Sequence, residues 1–426
     1  MNAKSIYIHI PFCKTKCPYC DFASYVSNQP ANSQLLRYAD LSESSLTAQS
    51  TPVLRDLQAS HLENFQTNLS LKKNKYEEYT DALINEIRYR LPKKDKTLIS
   101  TVFFGGGTPS LHSKEEYQEI FKTLQEYFIF SDDMEITLEA NPGTIDRNKL
   151  SELIEAGINR ISIGVQTFDE VLLQKLGRGH SVEDSYQAIE DLKSLDLKSW
   201  SFDLIYGLPG QTIESWEATV DKALSFNPPH ISAYALSIEE ATPYGKIYKD
   251  SKHPDLPVEE AVVEMYNLAH KKFKEAGLER YEISNWAKPG DEAKHNLTYW
   301  YAEEYYAFGL SAHGYIDSCR YANTRDLKSY LESFSEAQNN LTSNFNFDHC
   351  VENNLIPEDE KLEEKIILNL RLNTGLEINE GIKHKINFES LEKLKTDGYL
   401  VDIAETIFLT DKAILVSNKV INQLVK

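Results

Sequence analysis

A chain of 426 residues is long enough for one large domain and a small one, with ample core. Apolar residues make up 41% and charged residues 26%, the profile of a globular rather than a disordered chain. The 45 Lys and Arg against 65 Asp and Glu leave a net charge of −20, which argues against nucleic acid as a partner, since a polyanion calls for a basic face.

Residues 1–12 carry Lys4 as their single positive charge and no signal-like apolar stretch, so the expected location is the cytoplasm. Short β-branched runs then alternate with amphipathic helical stretches. Strands are predicted at 5–10, 101–104, 135–138, 160–165, 201–205 and 231–237. Helices are predicted at 76–90, 114–128, 147–156, 182–195, 213–226 and 258–276, the last ended by Gly277. Six βα units with short links imply an α/β fold, a parallel sheet partly or fully closed into a (β/α)6 barrel. Residues 26–75, rich in Ser, Gln, Asn and Leu, interrupt the rhythm and are read as an insertion with a short helix near 54–64.

After an aromatic-dense stretch at 281–315, residues 335–357 read as a polar linker. The tail predicts helices at 358–371 and 390–397, strands at 400–403 and 406–409, and a last helix from Asp411. That order is winged-helix-like, and with so much acid nearby it reads as a structural or docking module. The expected division is a core at 1–310, a connecting segment at 311–357 and a small α+β domain at 358–426. No apolar run approaches the roughly 20 residues that span a bilayer, so no integral membrane segment is expected, and peripheral membrane contact stays open.

Chemistry concentrates at the start. The first strand empties into Cys13, Cys17 and Cys20, a C-x3-C-x2-C spacing, while Cys319 and Cys350 stand alone. Three clustered thiols in a reducing compartment point to metal rather than a disulfide framework. Three thiolates leave one iron of a 4Fe–4S cluster open to a non-protein ligand. Structural zinc, the alternative, prefers four ligands, and His9 within its strand is a poor fourth.

The run Y-I-H-I-P-F-C-K-T-K-C-P-Y-C-D-F resembles the opening of radical SAM proteins related to oxygen-independent coproporphyrinogen dehydrogenase. F-F-G-G-G-T-P-S at 103–110, L-E-A-N-P at 138–142, I-S-I-G-V-Q-T-F at 161–168, D-L-I-Y-G-L-P-G-Q-T at 203–212 and Y-E-I-S-N-W at 281–286 extend the match. The resemblance implies a 4Fe–4S cluster on the three cysteines and S-adenosylmethionine bound by Gly106, Gly107, Thr108, Glu139, Gln166, Arg178 and Asp203, with Tyr7 and Tyr19 packed beside them. Physically, Gly105–Gly107, Glu139, Gln166 and Asp203 lie at the carboxyl ends of predicted strands, the rim where parallel barrels bind ligands. Gly106 and Gly107, lacking a Cβ, are expected to let backbone approach a ligand closely.

The family divides between the dehydrogenases and heme chaperones that keep the same core. Cys20 is followed by Asp21-Phe22, whereas the dehydrogenases continue with a further cysteine, and they carry a longer segment before the cluster. The chaperones resemble this chain further in H-N-x-x-Y-W, here His295, Asn296, Tyr299 and Trp300. Imidazole is an axial ligand for heme iron, and Tyr299 and Trp300 offer flat faces to a macrocycle. His295 is the expected ligand and His313 its rival. The expectation is a heme carrier serving an unidentified acceptor protein, with coproporphyrinogen III oxidative decarboxylation as the alternative.

Overall fold

The computed structural model describes residues 3–26, 74–92, 96–250, 253–340 and 342–426. Most of the expected insertion, including the helix near 54–64, lies outside the described residues. Six parallel strands follow the predicted order: β1 (Lys4–Ile10), β2 (Thr97–Gly106), β3 (Phe128–Ala140), β4 (Arg160–Gln166), β5 (Ser199–Tyr206) and β6 (His230–Ala235). Helices α1 (Lys75–Arg90), α2 (Lys114–Tyr127), α3 (Arg147–Ala156), α4 (Val182–Lys193), α5 (Ile213–Ser225) and α6 (Glu259–Glu275) match the predicted set. Their starts are locally encoded. At α2, Ser113 accepts from the Glu116 amide while the Glu116 carboxylate accepts from the Ser113 amide at 2.7 Å, a reciprocal cap.

The sheet is larger than expected. A seventh parallel strand, β7 (Tyr305–Phe308), pairs with β1 on the side away from β2. Antiparallel strands 313–316, 319–322 and 352–355 extend beyond β7, and 285–287 and 279–280 extend beyond β6. The twelve strands therefore end in two antiparallel edges, and of the two expected forms the structure has the partial barrel. The 335–357 stretch is not a free linker. Arg90 donates to the Asn346 and Asp348 carbonyls, Phe345 is buried, and Glu352–Leu355 pairs with Cys319–Ala322.

The two faces of the parallel strands differ in chemistry. Ile6 and Ile8, Val102 and Phe104, Leu138, Ile161 and Ile163, Phe202 and Leu204, and Ile231 are fully buried toward the helices. The alternate residues turn inward. Register sets Glu139 beside Ser162, Ser162 beside Ser201, and Ser201 beside His230. The barrel interior is thus polar, and the hydrophobic core lies between sheet and helices.

The tail matches its predicted order, with strands at Leu400–Ile403 and Thr406–Leu409, and adds a two-residue strand, Leu376–Glu377, and a short helix, Glu380–Lys383. It docks on the core through α7 (Lys294–Trp300) and α8 (Glu358–Asn369): Asn369 Nδ2 donates to the Trp300 carbonyl at 2.7 Å.

Candidate functional site

A cavity of about 630 Å³ opens inside the barrel beneath the cysteine loop. Cys13, Cys17, Tyr19, Cys20, Gly106, Gly107, Glu139, Gln166, Arg178, Asp203 and Asn296, all singled out from the sequence, line it. Tyr7 and Thr108 sit beside it, and His295, Tyr299 and Trp300 do not line it.

The cysteine loop is tied to the strand ends by donors aimed at sulfur. The Thr108 hydroxyl donates to Cys13 Sγ at 3.5 Å, and Asn141 Nδ2 donates to Thr108 Oγ1 at 2.9 Å. Arg178 contacts Asn141, donates to the Gly164 carbonyl at 2.9 Å, and presents Nη1 to Cys17 Sγ at 3.7 Å and the Tyr19 hydroxyl at 3.3 Å. Burial pushes the Cys13 and Cys20 thiols up, opposed at Cys13 by the Thr108 and Ser24 hydroxyls and at Cys20 by the Lys16 charge. Three half-buried thiols facing a cavity, two of them with polar donors at sulfur, fit a thiolate-held cluster. Among the described residues no three His, Cys, Asp or Glu side chains gather into a single-ion site. Asn141 and Gly164 went unnoticed in the sequence although both lie inside the quoted motifs. A Cβ on Gly164 would stand 2.7 Å from Gln166 Nε2 and 2.9 Å from Arg178 Nη2.

Two carboxylates face the same space. Burial pushes the Glu139 carboxyl up to about 7, helped by the Asp203 charge and opposed by the Gly106 amide, which donates to Oε2 at 3.0 Å. Burial also raises Asp203, against hydrogen bonds from Ser232 and from Ser162, whose hydroxyl lies 3.1 Å from Oδ1. Gln166 has φ of 70°, a left-handed conformation unusual for a side chain of its size, at the end of β4 where the register shifts. The Tyr7 ring stacks on Phe103, and its hydroxyl meets His9 Nδ1 at 3.0 Å. Burial holds the His9 imidazole down near 4, against the Ala23 carbonyl that its Nε2 meets at 2.9 Å.

The glycines also make close contacts within the protein. The Gly107 amide donates to the Ile10 carbonyl at 2.8 Å and the Thr108 amide to the Phe12 carbonyl at 2.7 Å. A Cβ on Gly107 would stand 2.6 Å from the Phe12 carbonyl oxygen. At Gly106, with φ of 108°, it would stand 2.4–2.7 Å from the His9 ring. Both glycines border the cavity, and both closely approach β1 and the residues that lead from it into the cysteine loop.

His295 lies in the interior. Helix α7 lies across the inside of the sheet, and His295 is 1% exposed. Its Nδ1 meets the Thr101 hydroxyl at 2.7 Å and its Nε2 the Tyr299 hydroxyl at 2.8 Å, while its ring stacks on Phe103. Burial keeps the imidazole near 3, hence neutral. Both ring nitrogens are thus hydrogen-bonded within the protein. His313 is exposed at the start of its strand.

The family model for the radical SAM superfamily matches residues 7–223. The chain is 33% identical over 425 residues to the heme chaperone HemW of Bacillus subtilis (strain 168), covering 98% of each. It is 35% identical over 312 residues to HemW of Escherichia coli (strain K12), covering 73% of this chain and 70% of that one. Among solved structures, coproporphyrinogen III oxidase (HemN) from Escherichia coli, a radical SAM enzyme, superposes with a TM-score of 0.76 over 99% of this chain and 90% of that one, at 22% identity, a likeness of fold. The chain therefore belongs to the radical SAM superfamily, which works with a 4Fe–4S cluster and S-adenosylmethionine, and within it to the family of the HemW heme chaperones.

Proposed function

We propose that this protein is a cytoplasmic heme carrier that binds heme and passes it to an acceptor protein, from a core holding a 4Fe–4S cluster and S-adenosylmethionine. The observation that carries the reading is the 33% identity with a heme chaperone along 98% of the chain.

Cys13, Cys17 and Cys20 hold the cluster, with Thr108 and Arg178 donating toward sulfur. When bound, the cluster supplies single electrons to S-adenosylmethionine, chemistry that belongs to the cofactors. Glu139 and Asp203 accept from the cofactor's hydroxyl and amino groups, Gln166 and Arg178 orient its polar end, and Tyr7 and Tyr19 wall it in. Gly106 and Gly107 keep the cysteine loop seated.

Heme lies in a cleft of about 430 Å³ between α7, β7 and α8, walled by Tyr299, Tyr305, Tyr315, Arg320, Ile367 and Leu368. A neighbouring hollow of about 260 Å³ presents Trp300 and Asn296 beside the same Tyr299 and Leu368. Flat rings suit a macrocycle. Arg320, paired with Glu364 at 2.8 Å, is a cation suited to a propionate. His313 lies two residues before Tyr315 on one strand, so both side chains share a face. This accessible histidine, rather than His295, is assigned as the axial nitrogen.

Heme titration of the anaerobically reconstituted protein, run beside an assay on coproporphyrinogen III, tests the reading. A Soret band without turnover is expected. Turnover without a Soret band replaces the carrier with a coproporphyrinogen III dehydrogenase.

A further inference from the structure

Arg160, the first residue of β4, is 3% exposed yet lines the barrel cavity at the end of the strands opposite the cysteine loop. Its Nη1 donates to the Asp291 carbonyl at 3.1 Å, which fixes the direction of the fork. Its Nη2 has no hydrogen-bond partner among the described residues. His230, the first residue of β6, lines the same floor at 1% exposure, and its Nδ1 is also without a partner there.

The tautomer of His230 follows from its neighbours. Its Nε2 meets the Tyr281 hydroxyl at 2.8 Å, and that oxygen already accepts the Ala293 amide at 3.3 Å. The Tyr281 proton has Nε2 as its acceptor among the described residues, which puts the ring hydrogen on Nδ1. Burial keeps this imidazole uncharged. The floor thus holds two buried, open donors, one of them cationic. Native interiors leave few such groups unpaired, because each forfeits its hydration with nothing in return.

The surroundings select the ligand. Ser162, Ser201 and Ser232 on the same inward face direct their protons to Asp203 and to one another, so the open donors are the Arg160 and His230 nitrogens. The open edge of a guanidinium matches a planar carboxylate. Glu139 and Asp203 higher in the cavity disfavour a more highly charged anion such as phosphate.

We propose that Arg160 and His230 form a subsite that receives the carboxylate of an organic ligand at the floor of the radical SAM cavity. The proposal is independent of where heme binds. The carboxylate comes from a second molecule that occupies the cavity together with S-adenosylmethionine, whose own polar end lies with Gln166 and Arg178 beside the cysteine loop.

The test is a titration of the reconstituted full chain with 13C-carboxyl-labelled propionate, followed by NMR, with and without saturating S-adenosylmethionine. Saturable binding is expected, with none for propionamide, and Arg160→Met should weaken it tenfold or more while the melting temperature shows a folded protein. Simultaneous binding of propionate and S-adenosylmethionine is expected, and competition between them overturns the proposal by giving the floor to the cofactor. Absence of saturable binding in the wild type, or wild-type binding in Arg160→Met, overturns the proposal. Should Arg160→Met fail to fold, Arg160→Lys keeps the charge and stem without the planar fork. Weakened propionate binding there supports the subsite, and unchanged binding overturns it.

Discussion

The Tyr299 hydroxyl meets His295 Nε2 at 2.8 Å inside the barrel, so two residues of one motif bond each other. Removing the imidazole leaves the Thr101 hydroxyl unpaired in a buried place, at about 1–3 kcal/mol, and takes a partner from the half-buried Tyr299 hydroxyl. His295→Ala should lower the melting temperature and keep the heme Soret maximum. His313→Ala should do the reverse. Paired melts and heme titrations decide it, and the opposite pattern returns the iron to His295.

Gly107→Val puts a branched side chain against the Phe12 and Ile10 carbonyls, where a Cβ alone would stand 2.6 and 2.8 Å away. The substitution should displace the cysteine loop, so iron content after reconstitution falls along with S-adenosylmethionine affinity. A variant that keeps full iron and loses only the cofactor would show that the glycine faces the ligand, as its sequence context alone suggested.

Single Ser replacements of Cys13, Cys17 and Cys20 should each abolish the cluster chromophore. Cys319 and Cys350 sit on the outer strands and the segment before them, away from the cavity lining, and their Ser variants should retain it. Iron and sulfide analysis after anaerobic reconstitution reads the outcome directly. Loss of the cluster in Cys319→Ser would break the ligand assignment.

Glu139 gives stability a pH dependence of definite sign. Its folded value of about 7 lies above the roughly 4.3 of an unfolded glutamate, so between these the folded chain keeps a proton that the unfolded chain releases. The group's contribution is therefore complete below about pH 4 and is lost as pH rises through 7. In ligand-free protein, Glu139→Gln should melt above the wild type at about pH 8 and approach it at about pH 5. Parallel melting curves at both pH values would mean that the carboxyl titrates normally.

The βα units were legible because each changes hydrophobic period from 2 to 3.6 and several helices open on a side-chain cap such as Ser113. Strand 352–355 was not, because Glu352, Asn353, Asn354 and Leu355 are all exposed and are held only by pairing with 319–322. The cavity residues could be named from motif and strand-end position together. The burial of His295 could not, because it depends on α7 lying inside the sheet, a tertiary fact absent from the string H-N-x-x-Y-W. Arg160 escaped notice for a related reason: a polar residue on an alternating strand reads as solvent-facing, and here that face encloses the cavity.

The two faces of the parallel strands have a consequence for how the protein tolerates change. Its cohesion comes from residues such as Ile8, Phe104 and Phe202 on the helix side, whereas the inward set at Thr137, Ser162, Ser201 and Ser232 contributes little apolar burial. Substituting an inward serine by another small polar residue alters what the interior recognises without opening a void in the hydrophobic layer. The same backbone can therefore exchange one occupant for another by altering every second residue of a strand, while the intervening residues keep it folded.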